Sequence, residues 1–323
     1  MFRILTVLLP ALAGVLPAAG QAPLAIVEKK AGKVGYYTED GRRTGETAVG
    51  ALPHEMIFSP DRRYLYVTDN GMLWMTDPGA GGNTISIVEI ASRKRTRTID
   101  LGRFHRPHGI AQVPGSGDVV VTVENPYGLV RVDPAGGKLV RDYDVKGTSP
   151  HMVTVGGGTA WVSNSGSGTV SAINLDSGAA EVIPTGKNPQ GSTLSRDGKL
   201  LFVTNMESNT ISIIDTATRR VTGEIATGVG PARVFLTPDG KTLVYNLQTG
   251  SSMGFADVVS RRETARIALP GQPLSVSLSH DGQTAYLGIQ DVDKVVIVSV
   301  PRRAIVRVFD TPKGAGPDTI EPL

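Results

Sequence analysis

The sequence predicts an all-β chain: a β-propeller of seven four-stranded antiparallel blades, its ring closed by a C-terminal strand that joins the N-terminal blade. Three observations predict it. A proline followed by a short apolar segment recurs seven times, at Pro53, Pro107, Pro150, Pro189, Pro231, Pro273 and Pro317. After each, apolar and polar residues alternate with period two and Val, Ile and Thr are in excess, the pattern of half-buried strands. With 39 Gly and 21 Pro, the chain has turn residues enough for many short strands.

Each unit spans about 43 residues, a length that suits one propeller blade, and reads as four strands in order. Strand A follows the anchor proline. A turn such as Thr237-Pro238-Asp239-Gly240 comes next, with proline where φ is about −65° and glycine where φ turns positive. Strand B is a run such as Leu201 to Asn205, and strand C is Asn209 to Asp215. The polar turn Asp215 to Thr218 leads to strand D, Val221 to Ile225. One such sheet cannot bury both faces alone, whereas sheets placed radially cover one another.

The unit at Pro317 has a first strand only. Leu24–Glu28, Val34–Thr38 and Glu46–Val49 read as strands B, C and D with no strand A before them. The segment after Pro317 is therefore expected to complete the blade that the N-terminal strands begin, which removes the open edges of the ring.

Residues 1–20 read as a separate object, a secretory signal. A basic Met1-Phe2-Arg3 start precedes the apolar run Ile4 to Leu16, and small residues at Pro17 to Gly20 set cleavage before Gln21. The apolar run is shorter than the ~20 residues a helix needs to span a bilayer. The expectation is one propeller domain over residues 21–323, periplasmic or secreted, monomeric, with no transmembrane segment once the signal is removed. The absence of Cys excludes disulfides, thiol catalysis and thiolate metal sites. A net charge of +3, with no basic tract beyond Arg93-Lys94-Arg95, argues against nucleic acid as a partner.

Leu65-Tyr-Val-Thr-Asp69, Phe202-Val-Thr-Asn205 and Asn209-Thr-Ile-Ser-Ile-Ile-Asp215 resemble the YVTN-repeat family of seven-bladed propellers, over essentially the whole chain after the signal. The resemblance implies the fold. Similar folds include lactonases, lyases, surface-layer proteins and binding proteins that do no chemistry, so function has to be argued from a site.

If strand A runs from the upper face to the lower, the D–A and B–C loops crowd the upper mouth of the central channel. Three consecutive units place histidine after the anchor proline, at His54, His108 and His151, and the next four place Gln190, Ala232, Leu274 and Asp318 there. Strand B ends in Asp69, Glu124, Asn164 and Asn205. His54, His108 and His151 are candidate ligands of a divalent metal ion, with Asp69 or Glu124 as an oxygen ligand. Glu124 and His108 are the candidate catalytic acid–base groups. The residue after the proline could equally just hydrogen-bond the D–A loop.

The B–C loop of the first full unit is longer than its counterparts. Its excess, Asn70 to Gly82, carries Met72, Trp74, Met75 and Asp77 over the same mouth, as a lid, a contact surface or a plug. Arg106 and Arg233 add positive charge on that face and could attract an anion. The candidate ligand-binding residues are thus His54, His108, His151, Gln190, Arg233, Arg106 and Trp74. His280 falls in a lower turn and reads as a bystander. No HExxH or Walker motif is present.

Two functions are expected. The first is an exported binding or scaffold propeller that holds a small-molecule ligand or protein partner at the upper mouth. The second is a metal-dependent hydrolase or lyase of the lactonase type built on the histidine cluster.

Overall fold

A computed structural model describes residues 24–323; the expected signal segment and its cleavage point lie outside them. The described residues form seven antiparallel four-stranded sheets. We number the blades 1 to 7 by the chain order of their second strands. Blades 2 to 7 begin with the inner strands Pro53–Phe58, His105–Gln112, Pro150–Gly156, Pro189–Leu194, Pro231–Leu236 and Pro273–Leu278, which neighbour one another around the channel. Strand order within each of these sheets follows chain order.

Blade 1 closes the ring as the sequence predicts. Its innermost strand is Pro317–Pro322, followed outward by Leu24–Glu28, Lys33–Tyr37 and Arg43–Ala48. Leu24 pairs with Pro322, Ala25 with Glu321 and Ile26 with Ile320. Strand ends differ slightly from expectation. The inner strand of blade 3 starts at His105, ahead of its anchor Pro107, and the outer strand of blade 1 starts at Arg43. A short 3-10 turn, Lys29–Ala31, links the second and third strands of blade 1. Among the described residues no helix is long and apolar enough to cross a membrane.

The core is divided among the seven blade interfaces. Val34, Tyr36, Met56 and Val67 fill the gap between blades 1 and 2, and Tyr66, Ile87, Val121 and Val130 that between blades 2 and 3. Trp161, Val170, Leu201 and Val203 do the same for blades 4 and 5. The closing interface holds Leu24, Ile26, Ile320, Tyr286 and Val295. Each fully buried large side chain contributes about 1.5–3 kcal/mol, so stability is spread around the circle. The lower turns repeat one device. The hydroxyls of Ser59, Ser195, Thr237 and Ser279 donate to Asp61, Asp197, Asp239 and Asp281 at 2.6–2.7 Å. In three of the four, glycine follows the Asp with positive φ: Gly198, Gly240 and Gly282.

Candidate functional site

The Thr of the Val-Thr-Asp/Asn run positions the mouth. Thr68 Oγ1 donates to the carbonyl of His108 at 3.0 Å, Thr122 Oγ1 to that of His151 at 2.6 Å, and Thr204 Oγ1 to that of Ala232. Each bond ties strand B of one blade to the channel residue of the next. Gly109 and Gly191 leave room for this approach, since a Cβ at either would lie 2.6 Å from the neighbouring blade's carbonyl. The three histidines of blades 2, 3 and 4 consequently stand in a column. The rings of His54 and His108 lie 4.0 Å apart, and those of His108 and His151 4.1 Å apart.

Residues ending strand B divide by register: Asp69, Asn164 and Asn205 pair with their anchor prolines and Glu124 does not. Asp69 accepts hydrogen bonds from Thr84 Oγ1 (2.7 Å), Ser86 Oγ (2.8 Å) and the Gly50 amide (2.8 Å). Asn164 and Asn205 donate to the equivalent Ser171 and Ser212. These side chains stitch their own blades, so Asp69 is directed away from the histidines that it was expected to join at a metal. In blade 3 the position of Asp69 is taken by Val123, which pairs with Pro107 as Asp69 pairs with Pro53, and Glu124 lies one residue further on, facing the other side of the strand. Glu124 instead meets His108, with Oε1 2.6 Å from Nδ1, and both residues are buried.

Burial dominates the electrostatics. It holds all three imidazoles below their ordinary range, His151 down to about 3, with the positive charges of Lys29 and Arg233 adding to the effect. The histidines are therefore uncharged at neutral pH. Burial pushes Glu124 up to about 7, against the pull of Arg106 and Lys29. Both members of the Glu124–His108 pair are thus biased toward neutrality. Among the described residues His108 Nε2 and His54 Nδ1 make no hydrogen bond, although His54 Nδ1 lies 3.3 Å from Glu55 Oε1.

Two buried charge pairs flank this column. Glu55, on blade 2, accepts from Arg233 of blade 6 across the channel, and its second oxygen accepts from Thr319 Oγ1 at 3.0 Å. Burial would raise the Glu55 carboxyl, but Arg233 and its other partners bring it below the usual range. Lys29 Nζ lies 3.8 Å from Asp318 Oδ2, both fully enclosed. Burial lowers Lys29 and raises Asp318 to about 6. Glu55, Lys29 and Thr319 are absent from the expected site. A signal for the first was present: at the second position after the seven anchor prolines, Glu55 and Arg233 are the charged residues, and they are of opposite sign.

The long loop closes over the mouth. Arg106 donates to the carbonyls of Met75 (3.0 Å), Asp77 (2.7 Å) and Gly79 (2.6 Å), and Asn70 Nδ2 donates to that of Pro107. Leu73, Trp74, Met75 and Thr76 then wall a cavity of about 290 Å3 whose floor includes His54, His108, His151, Gln190 and Arg233. Trp74 stays half-exposed. The guanidinium of Arg106 is thus engaged by the loop and that of Arg233 by Glu55. Arg233 is charge-compensated, whereas Arg106 keeps its positive charge while its donors are directed to the loop.

The position before the anchor proline differs between blades. The residues before the anchor prolines of blades 2 to 5 are Leu52, Arg106, Ser149 and Asn188, all with φ between 43° and 55°. Side chains there cost on the order of 1–3 kcal/mol each, and a following proline disfavours compact backbone further. Blades 6 and 1 place Gly230 and Gly316 at this position.

Among the described residues, the group that could hold a metal ion is His54, Glu55 and His108, whose ligand atoms lie within 4.8 Å of one another. His151, its Nδ1 3.4 Å from the Gln190 carbonyl, stands outside it. The donor types suit a divalent transition metal. Glu124 behind His108 matches the carboxylate support that metal-bound imidazoles receive. A dication would have to displace Arg233 from Glu55.

No family model matches the sequence, and no curated protein is similar to it. Solved structures share the fold. A chain of hydrazine synthase from Kuenenia stuttgartiensis is 19% identical, with 90% of this chain and 98% of that chain covered and a TM-score of 0.72. The periplasmic gluconolactonase of Pseudomonas aeruginosa is 16% identical over 93% of this chain and 98% of that chain, with a TM-score of 0.75. A functionally unknown protein from Desulfotomaculum acetoxidans is 13% identical over the same shares, with a TM-score of 0.76. At these identities the likeness shows the architecture alone: a seven-bladed β-propeller.

Proposed function

We propose that the upper mouth binds a small polar organic molecule and that the protein is an exported binding propeller. One observation carries this reading. Among the described residues, buried polar atoms that make no hydrogen bond, foremost His108 Nε2 and Arg233 Nε, belong to residues lining one cavity. An unsatisfied buried polar group costs about 1–3 kcal/mol, so an occupant that supplies their hydrogen bonds is favoured. Uncharged imidazoles and internally paired charges select a neutral ligand over a dianion. The leader sequence supports export, with which the likeness to a periplasmic protein is compatible. A thermal-shift screen of small lactones, hydroxy acids and amides tests the reading. The expected result is saturable stabilisation, about 2.7 kcal/mol at a hundredfold excess over Kd, abolished by His108→Ala. Silence from every class would overturn it.

A second reading is favoured by the convergence of His54, Glu55 and His108. A divalent ion there would polarise a carbonyl or acidify a bound water, making the protein a metal-dependent hydrolase or lyase of the lactonase type. Glu124 would then orient His108. Metal analysis of the purified protein and of His54→Ala decides it: stoichiometric metal that disappears in the variant supports this reading, and a metal-free protein removes it.

A further inference from the structure

A second cavity adjoins the mouth. Its volume is about 690 Å3, it runs over the upper loops of blades 4 and 5, and it shares Met75, Thr76 and Gln190 with the first. The two adjoin under the tip of the 70–82 loop, which contributes Met75 and Thr76 to both. The outer part is lined by Tyr127, Ser149, Ser165, Ser167, Asn188 and Glu207, with Lys187 beside them. We infer that this outer cleft is a subsite for the tail of an elongated, uncharged, hydroxyl-rich chain: a short oligosaccharide whose terminal unit sits in the mouth.

The chemistry of the walls selects that class. Serine hydroxyls, an amide and a carboxylate offer short-range donors and acceptors in alternation, which match sugar hydroxyls that both donate and accept. Tyr127 is 50% exposed and presents the aromatic face that covers the apolar side of a pyranose ring. One lysine and one glutamate balance in charge, so nothing tracks a phosphate backbone. The walls are loops and a hairpin end, not a free sheet edge, so the main-chain pairing that captures an extended peptide is not offered.

The strained positions give independent support. Ser149 and Asn188 adopt φ of 53° and 55°, where Gly230 and Gly316 serve the same purpose on other blades without steric cost. Side chains retained at that cost have a use. That of Asn188 donates to Glu207 Oε1 at 3.2 Å and accepts from Gln190 Nε2. The backbone carbonyl of Gln190 in turn faces His151 Nδ1. A polar chain thus runs from the outer rim to the histidine column.

This inference rests on the mouth being a binding site, and its test separates the two. An array of neutral linear oligosaccharides of one to six units is probed with the purified protein, and hits are titrated by calorimetry against their monosaccharides. Longer chains are expected to bind on the order of tenfold or more tighter, as linked subsites do. Tyr127→Ala should remove that length-dependent gain while the monosaccharide affinity remains. Asn188→Gly should also remove it with no fall in Tm, which excludes misfolding as the cause. Affinity independent of length, a Tyr127→Ala variant indistinguishable from the parent, or retention of charged glycans or peptides alone would overturn the outer subsite. So would an empty array. In each of these cases the small ligands that His108→Ala abolishes still report on the mouth by itself.

Discussion

The two sides of the channel mouth share one backbone template and use it differently. On blades 2 to 5 the anchor prolines follow Leu52, Arg106, Ser149 and Asn188 in left-handed conformations, and they precede His54, His108, His151 and Gln190. On blades 6, 7 and 1 the residues after the proline are Ala232, Leu274 and Asp318, and glycine takes the left-handed position at Gly230 and Gly316. At this one position, left-handed side chains accompany the histidines and Gln190. A repeat protein therefore shows its site less by what it repeats than by where a position departs from its easiest residue.

The largest expected effect comes from the pair that ties the two sides together. Removing either Glu55 or Arg233 leaves a buried charge without its partner, for which about 3–5 kcal/mol is expected. The paired replacement Glu55→Gln with Arg233→Met should recover much of the loss. Urea denaturation of the three variants measures both; additive losses in the double variant would show that the residues act separately.

Next comes pH, which the two kinds of buried group read in opposite directions. His151 titrates at about 3 in the fold against 6.5 in a free chain. Between those values only the unfolded chain holds the proton, so stability falls as pH drops below about 6.5. His54 and His108 act in the same sense. Glu124 at about 7 and Asp318 at about 6 are raised from 4.5 and 3.8. There the folded chain holds the extra proton, and stability present at low pH is lost as pH climbs through those values. Thermal unfolding from pH 3 to 8 should show His151→Gln weakening the fall in stability from pH 6.5 toward 3 and Glu124→Gln removing the opposite loss between pH 4.5 and 7. Identical profiles for parent and variants would contradict this account.

A smaller, local effect is expected for Arg106→Ala. Losing three bonds to the 70–82 loop should expose it to proteases and alter emission from Trp74, since Trp161, the other of the two tryptophans, is buried. Global Tm should barely change. The smallest effect belongs to Leu52→Gly, where relief of strain opposes the added chain entropy of glycine, for a net change within about 1 kcal/mol. Gly230→Ala should be clearly worse, because its Cβ would lie 2.5 Å from Thr249 Oγ1. Comparable losses at the two positions would dissolve the contrast between the sides.

The fold was legible because its causes are local: period-two strands, Ser/Thr-x-Asp turns and anchor prolines lie within each unit. The histidine column was legible by superposing those units. What escaped involved partners joined only by the ring. Glu55 and Arg233 are 178 residues apart, and Lys29 reaches the channel from a turn with no counterpart in other blades. The different fates of Asp69 and Glu124 follow from a one-residue offset, since Val123 and not Glu124 pairs with its anchor proline as Asp69 does. Reading them requires knowing which strand faces which. Arg106 was legible as a charge but not as a clamp, because its acceptors are main-chain carbonyls that every residue possesses.

The joint between Pro317–Pro322 and Leu24–Glu28 has a consequence for how the circle comes into being. A chain emerging from its N-terminus can stack blades 2 to 7 as they arrive, yet the gap beside Leu24, Ile26 and Tyr286 stays open until the final few residues appear. Truncation before Pro317 is therefore expected to leave blade 1 without its inner strand and this interface unsealed.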